Sequence, residues 1–149
     1  MEIQAPISGR AVPLAEVPDE VFAQGMAGDG GAVIPESSGE VLAPISGTLV
    51  KLFEGGHAFG IEGDGGIELI VHIGLDTIEM QGAGFERLAT EDDRVEVGQP
   101  IVSFDLEEIR NAGYDPITPI IVTNPEEHPV GDLASGEVSA GDTLFEAGD

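Results

Sequence analysis

The chain contains no cysteine and no tryptophan, and only five basic residues stand against 29 acidic ones. The missing cysteines exclude disulfide bonds and thiolate metal sites. No apolar run approaches the roughly 18 residues that a membrane-spanning helix needs, and the first residues form no signal peptide. We therefore expect a cytoplasmic protein with no membrane anchor of its own, built as a single domain over residues 1–149.

The formal net charge of −24 limits the classes of partner. Such a negative surface repels nucleic acid and anionic membranes. Because the acids are scattered between apolar runs, the composition does not indicate a disordered acidic tail. It is typical of an acidic, halophilic protein in a salt-rich cytoplasm, where the screening length falls to about 3 Å at 1 M salt. The single lysine, Lys51, fits this interpretation.

The 22 glycines and 10 prolines lie between short Val, Ile and Leu runs, which predicts an all-β fold with many turns. The sequence of residues 5–9 recurs in residues 43–47, and residues 95–101 are echoed by residues 138–144. Two short repeats predict a compact antiparallel β-sandwich or barrel with internal pseudo-symmetry.

One or two short helices complete the prediction. One helical turn follows Pro18, and residues 106–112 form a helix that Asp105 caps and Gly113 ends. Pro119 lies within the apolar run 117–123, which favours an edge strand. Residues 28–31 are expected to form a loop, and His128 is expected to be solvated in a polar loop.

Residues 54–74 consist of two apolar runs joined by a glycine-rich turn. Asp64-Gly65 at the centre of a two-residue turn predicts a hairpin in which His57 lies directly across from His72. A symmetric four-residue loop gives the same pairing, whereas a bulge shifts it by one residue. Two facing imidazoles can hold an anion or a metal ion. A neutral imidazole is also a competent nucleophile toward phosphorus, and a second ring can donate a hydrogen bond to phosphoryl oxygens.

Two segments, His57–Ile61 and Val71–Thr77, resemble the active-site histidine motifs of the glucose-type enzyme IIA component of the bacterial sugar phosphotransferase system (PTS). Further similar segments run from residues 5–9 to residues 104–105, so the resemblance covers nearly the whole chain. It implies a compact antiparallel β-sandwich that acts as a monomer and requires no cofactor.

The resemblance also implies roles for the two histidines. His72 would accept a phosphoryl group from the carrier protein HPr and pass it to a IIB domain for sugar uptake, while His57 steadies the phosphoryl group. The Gly74 carbonyl would orient an imidazole, and Thr77 would tune the proton network of the site. Gly55 stands where the family often has threonine, so a hydrogen bond to His57 is expected to be missing or replaced by water.

Partner contacts follow from the same resemblance. Asp19 and Asp76 would meet an arginine of the partner. An apolar ring around the histidines would consist of Phe22, Met26, Ala27, Phe53 and Ile70.

Two other functional classes are left open by the sequence. The first is a zinc-dependent hydrolase or peptidase, because related sandwich folds host zinc peptidases. Against it, the chain has no His-x-His, and two histidines lack the third protein ligand that catalytic zinc takes. Zinc held by His57 and His72 with a partner's carboxylate would then be regulatory. The second is a regulatory binding protein switched by phosphorylation. It differs only in that the phosphate does not move onward.

Overall fold

A computed structural model of the chain describes residues 1–148 and consists mainly of antiparallel strands. The strands are β1 (Glu2–Gln4), β2 (Gly9–Pro13), β3 (Asp29–Pro35), β4 (Gly39–Leu42), β5 (Gly47–Leu52), β6 (Ala58–Gly63), β7 (Glu68–His72), β8 (Phe85–Arg87), β9 (Arg94–Val95), β10 (Pro100–Phe104), β11 (Thr118–Val122), β12 (Val130–Gly131), β13 (Gly136–Val138) and β14 (Thr143–Ala147). Two short α-helices, α1 (Glu20–Ala23) and α2 (Leu106–Asn111), and two 3₁₀ turns, Leu14–Glu16 and Thr77–Met80, complete the described part. None of its helices is long and apolar enough to cross a bilayer.

One large sheet carries most of the fold. Its strand order is β13-β2-β3-β11-β7-β6-β5-β9, and two three-stranded sheets, β1-β14-β12 and β4-β10-β8, accompany it. Side chains alternate across each strand, so a single sheet builds two apolar layers. The main core lies on one face and contains Phe59, Ile120 and Phe145. A smaller cluster on the other face includes Val12 and Ile121, and Phe22 and Ala27 pack against it.

The predicted internal repeat is confirmed in the large sheet. Gly9 and Gly47 begin β2 and β5, and they pair with Val138 of β13 and Val95 of β9 at opposite edges. At both glycines a side chain would collide with a carbonyl oxygen of the neighbouring strand, that of Ile34 or Glu62. The two copies therefore start equivalent strands where only glycine fits between backbones.

The two predicted helices are also confirmed. The Asp19 side chain accepts a hydrogen bond from the Val21 N–H at the start of α1. The Asp105 side chain accepts one from the Glu108 N–H at the start of α2. Each carboxylate satisfies a backbone donor that has no partner within the helix, as an N-cap does.

The predicted hairpin register is wrong by one residue. β6 and β7 pair Ala58 with His72 and Gly60 with Ile70, so His57 is not directly across from His72. The connection contains three residues rather than two, because Gly65 and Gly66 both take positive φ and Gly63 pairs with Ile67. Three-residue loops of this kind shift a hairpin by one position.

Three further expectations are corrected. The run around Pro119 is not an edge strand, since β11 lies between β3 and β7. Proline is tolerated at position 119 because the pairing of β11 with β7 begins only at the next residue, Ile120. Residues 29–31 belong to β3 and not to a loop. His128 is buried and not solvated, with 5% of its surface exposed. Its Nδ1 atom forms a hydrogen bond with the Gly148 carbonyl oxygen at 2.7 Å.

Candidate active site around two histidines

His72 ends β7 on the face of the large sheet that lies away from the main core. Ile70 shares this face, because the two residues are separated by one position. The next residues turn sharply, and Gly74 takes φ of +78°. This turn brings the Gly74 carbonyl oxygen to 2.6 Å from His72 Nδ1. In the neutral ring Nδ1–H therefore donates to that oxygen, and the Nε2 lone pair is left for chemistry.

His57 lies just before β6, and its imidazole contacts that of His72. The Ile73 N–H donates to the His57 carbonyl oxygen at 2.7 Å, which ties the His57 backbone to the turn after His72. The ring centroids are 5.4 Å apart with an interplanar angle of 71°, so one imidazole presents its edge to the other. The structure brings the two predicted histidines together although their register differs from the prediction.

Burial keeps both imidazoles neutral near neutral pH. Burial, and to a smaller extent the charge of a protonated His72, together lower the pKa of His57 to about 4. Burial also lowers the pKa of His72, although the Gly74 carbonyl and the carboxylates of Asp19 and Asp76 oppose this shift. A neutral pair suits nucleophilic attack, since a protonated ring has no lone pair at Nε2.

The two imidazoles lie within a row of rings. Phe22 contacts His72 with centroids 5.9 Å apart, and Phe53 contacts His57 with centroids 5.1 Å apart. Lys51 Nζ lies 5.4 Å from the centroid of the Phe53 ring. The predicted apolar residues Phe22 and Phe53 are thus in direct contact with the histidines.

Thr77 lies beneath the site and not in it. Its side chain is fully buried, and its hydroxyl donates to the Ile73 carbonyl oxygen at 2.5 Å. Its methyl group fills the space beside Gly74, where any added Cβ would collide with it. Thr77 therefore braces the turn that holds both histidines.

The two predicted acidic contacts flank His72 on separate elements. Asp19 caps α1, and Asp76 precedes the 3₁₀ turn Thr77–Met80 in a left-handed conformation with φ of +60°. Both carboxylates raise the pKa of His72 through their negative charge. A cation from outside would meet both charges near the ring.

The other predicted apolar residues differ in exposure. Met26 is 71% exposed, Ile70 is exposed, and Ala27 lies lower, against the small cluster on this face. Sequence reasoning missed Ile78, which is 56% exposed directly after Thr77. Its only signal in the sequence was an isoleucine in a short polar turn.

An open cavity of about 470 Å³ adjoins His57 on the side of Gly55 and Gly82. Glu54 and Gln81 supply its polar groups. A Cβ built on Gly55 would lie 3.5 Å from His57 Nδ1, so this nitrogen faces position 55. Within residues 1–148 no group of three or more histidine, cysteine or acidic residues is arranged to hold a metal ion.

Comparison with known proteins identifies the family of the chain. Residues 1–128 match the family described as "phosphoenolpyruvate-dependent sugar phosphotransferase system, EIIA 1". The chain belongs to this EIIA family. It is therefore a phosphotransferase component of the EIIA type. The comparisons support neither the hydrolase nor the purely regulatory alternative.

Individual relatives extend the match. The glucoside-specific EIICBA component of the PTS from Staphylococcus carnosus is 46% identical over 143 residues, which are 96% of this chain and 20% of that protein. The β-glucoside-specific EIIBCA component from Bacillus subtilis is 48% identical over 126 residues, 85% of this chain and 20% of that protein. The EIIA chain thus spans about a fifth of the length of these relatives.

A solved structure matches the fold. The glucose permease IIA from Mycoplasma capricolum superimposes with a TM-score of 0.92 at 40% identity. The match covers 97% of this chain and 94% of that one. The match confirms the all-β sandwich that was predicted from short apolar runs separated by glycines.

Proposed function

We propose that His72 is the phosphoryl acceptor of this EIIA domain. The observation that carries the proposal is the 2.6 Å hydrogen bond between His72 Nδ1 and the Gly74 carbonyl oxygen. It leaves the Nε2 lone pair as the nucleophile. Nε2 attacks the phosphorus of phospho-HPr, the bond from phosphorus to HPr breaks, and its electrons return to HPr. In the onward step the bond from phosphorus to Nε2 breaks, and the phosphoryl group passes to a IIB domain.

His57 stabilises the transferred group. Its imidazole lies edge-on to His72 and is neutral at pH 7, so it can donate one N–H to a phosphoryl oxygen. The negative charge spread over the phosphoryl oxygens makes such donors effective in a partly buried site. We therefore assign His57 to onward transfer more than to acceptance.

The partner surface follows from charge and exposure. Asp19 and Asp76 would bind an arginine of HPr or IIB beside His72; the effect of both negative charges on the pKa of His72 supports this role. Around them, Met26, Ile70 and the ring of Phe22 offer the apolar contact that such an interface needs. The names of the relatives, EIICBA and EIIBCA, each include a B component beside the A component, which supports a IIB partner.

The proposal extends to the location, oligomeric state and cofactor requirement of the domain. Residues 1–149 act as one cytoplasmic, monomeric EIIA unit without a required cofactor, and their charge of −24 suits a salt-rich cytoplasm. Among residues 1–148, zinc at His57 and His72 would find only these two ligands and would need a partner's carboxylate.

A reconstituted relay tests the function. The protein is incubated with phosphoenolpyruvate, enzyme I and HPr, and phosphate incorporation is measured by intact mass. The parent should take up one phosphoryl group, His72→Gln none, and His57→Gln one group that passes poorly to IIB. His128→Gln is the matched control, because His128 Nδ1 also bonds a glycine carbonyl. Labelling of His72→Gln would contradict the proposal.

A further inference from the structure

The two histidines are held by different kinds of contact. His72 Nδ1 is fixed by the Gly74 carbonyl oxygen. The His57 ring forms no hydrogen bond with another residue among residues 1–148. The residue is 4% exposed, and its ring nitrogens reach solvent, because no fully buried side-chain nitrogen or oxygen of the described part lacks a partner. Position 55, which its Nδ1 faces, carries no side chain. The orientation of the His57 ring therefore depends on packing.

Phe53 packs against the His57 ring, with ring centroids 5.1 Å apart. The Phe53 ring meets His57 at an interplanar angle of 66°, the edge-to-face arrangement that aromatic pairs favour. Lys51 lies over the Phe53 ring within cation–π distance. Glu91 steadies this segment, because its Oε1 accepts from the Leu52 N–H at 2.9 Å and lies 4.0 Å from Lys51 Nζ.

We propose that Lys51 and Phe53 are positioning residues that hold the His57 imidazole in place of a side-chain hydrogen bond. Lys51 limits the movement of the Phe53 ring, and Phe53 limits rotation of His57. The consequence for transfer rests on the function proposed above, whereas the ring geometry does not. Lys51, the single lysine of the chain, thereby acts on His57 through two contacts and lies three contacts away from His72.

The size of the effect follows from the exposure of Lys51. A cation–π contact at an exposed site contributes about 0.5–1 kcal/mol, which corresponds to a change of about 2- to 5-fold in the population of the aligned ring. Loss of the Phe53 ring should have a larger effect. Phe53 is also proposed to touch partners, so Lys51 gives the cleaner test.

The first measurement needs no partner. Long-range ¹H–¹⁵N NMR of the unphosphorylated protein reports the His57 tautomers and pKa, and the shift of its Cε1–H reports the Phe53 ring current. In Lys51→Met this ring-current shift should decrease and the tautomers should become more mixed, whereas Lys51→Arg should keep the parent values. Arg10→Met removes an equal charge from β2 and should change nothing. Parent-like His57 signals in Lys51→Met would overturn the proposal.

The second measurement follows transfer to IIB. Lys51→Met should lower kcat about 2- to 5-fold with little change in KM, because alignment is lost and docking is not. Adding Gly55→Ser supplies a hydroxyl beside His57 Nδ1 and should restore both kcat and the ring signals. Failure of this rescue, or of Lys51→Arg, would overturn the positioning role. If the parent transfers nothing while Lys51→Met still alters the ring signals, the proposed function fails and the positioning role stands.

Discussion

The Nδ1 atom of His72 lies 2.6 Å from the carbonyl oxygen of Gly74, two residues along the chain. Gly74 can present this oxygen because it takes φ of +78°, and a Cβ there would also meet the Asp115 carbonyl oxygen at 3.0 Å. Gly74→Ala should therefore displace the carbonyl and release the His72 tautomer. We expect phosphorylation by phospho-HPr to slow at least about tenfold, equivalent to about 1.4 kcal/mol, as measured by initial rates.

Gly65→Ala is the matched control for this substitution. Gly65 also has positive φ, +98°, but a Cβ there meets no atom within 4 Å. It should cost about 1 kcal/mol of stability from backbone strain alone and leave the phosphorylation rate unchanged. Equal rates for the two folded variants would argue against an orienting role for Gly74.

Thr77→Val removes a hydroxyl while it keeps the shape of a buried side chain. The Ile73 carbonyl oxygen loses its donor, so the free energy of unfolding should fall by about 1–2 kcal/mol in urea denaturation. Because this hydroxyl donates to the Ile73 carbonyl oxygen and not to an imidazole nitrogen, the pH profile of phosphorylation should keep its shape. A shifted profile at unchanged stability would instead indicate a direct part in the proton network.

Protonation of His57 should make folding stability depend on pH. The folded-state pKa of about 4 lies below the ordinary value of 6.5, so the unfolded chain binds the proton first as pH falls. Stability is therefore fully present above pH 6.5 and is lost between 6.5 and 4. From pH 7 to 5 the parent should lose about 1–2 kcal/mol more than His57→Gln, measured by urea denaturation. Equal losses would show that burial does not depress the His57 pKa.

Salt should stabilise the protein because its acids repel one another. Among the described residues few acids have a basic partner, and the strongest pair joins Arg94 to Asp64 at 2.7 Å. The screening length falls from about 30 Å at 0.01 M salt to about 10 Å at 0.1 M. We expect Tm to rise steeply over this range of KCl, followed by circular dichroism. A Tm that does not change below 0.3 M would contradict the adaptation to salt.

Local patterns predicted much of this molecule. The repeat that begins β2 and β5 was visible because Gly9 and Gly47 recur in the same five-residue sequence. Glycine is required at both positions for a local reason, because each residue lies against the backbone of a neighbouring strand. The cap at Asp105 was visible for the same kind of reason. The histidine pair was found because a hairpin brings its two strands together whichever of the two registers it takes.

Two of the failures come from contacts that distant parts of the chain supply. The burial of His128 depends on Gly148, 20 residues further along the chain. The central place of β11 depends on the strands beside it, which Pro119 does not reveal. The hairpin register depended on whether Gly66 joined Gly65 in positive φ, and glycine adopts either sign readily. The contact of Lys51 with Phe53 was not visible at all, because it depends on side-chain placement.

The most direct test is to identify the atom that carries phosphorus. Long-range ¹H–¹⁵N and ³¹P NMR of the phosphorylated, ¹⁵N-labelled protein distinguishes Nε2 from Nδ1 phosphohistidine and assigns the residue. Because Nδ1–H of His72 is committed to the Gly74 carbonyl oxygen, we predict one phosphoryl group on Nε2 of His72. Phosphorus on Nδ1 of His72, or on His57, would contradict the account.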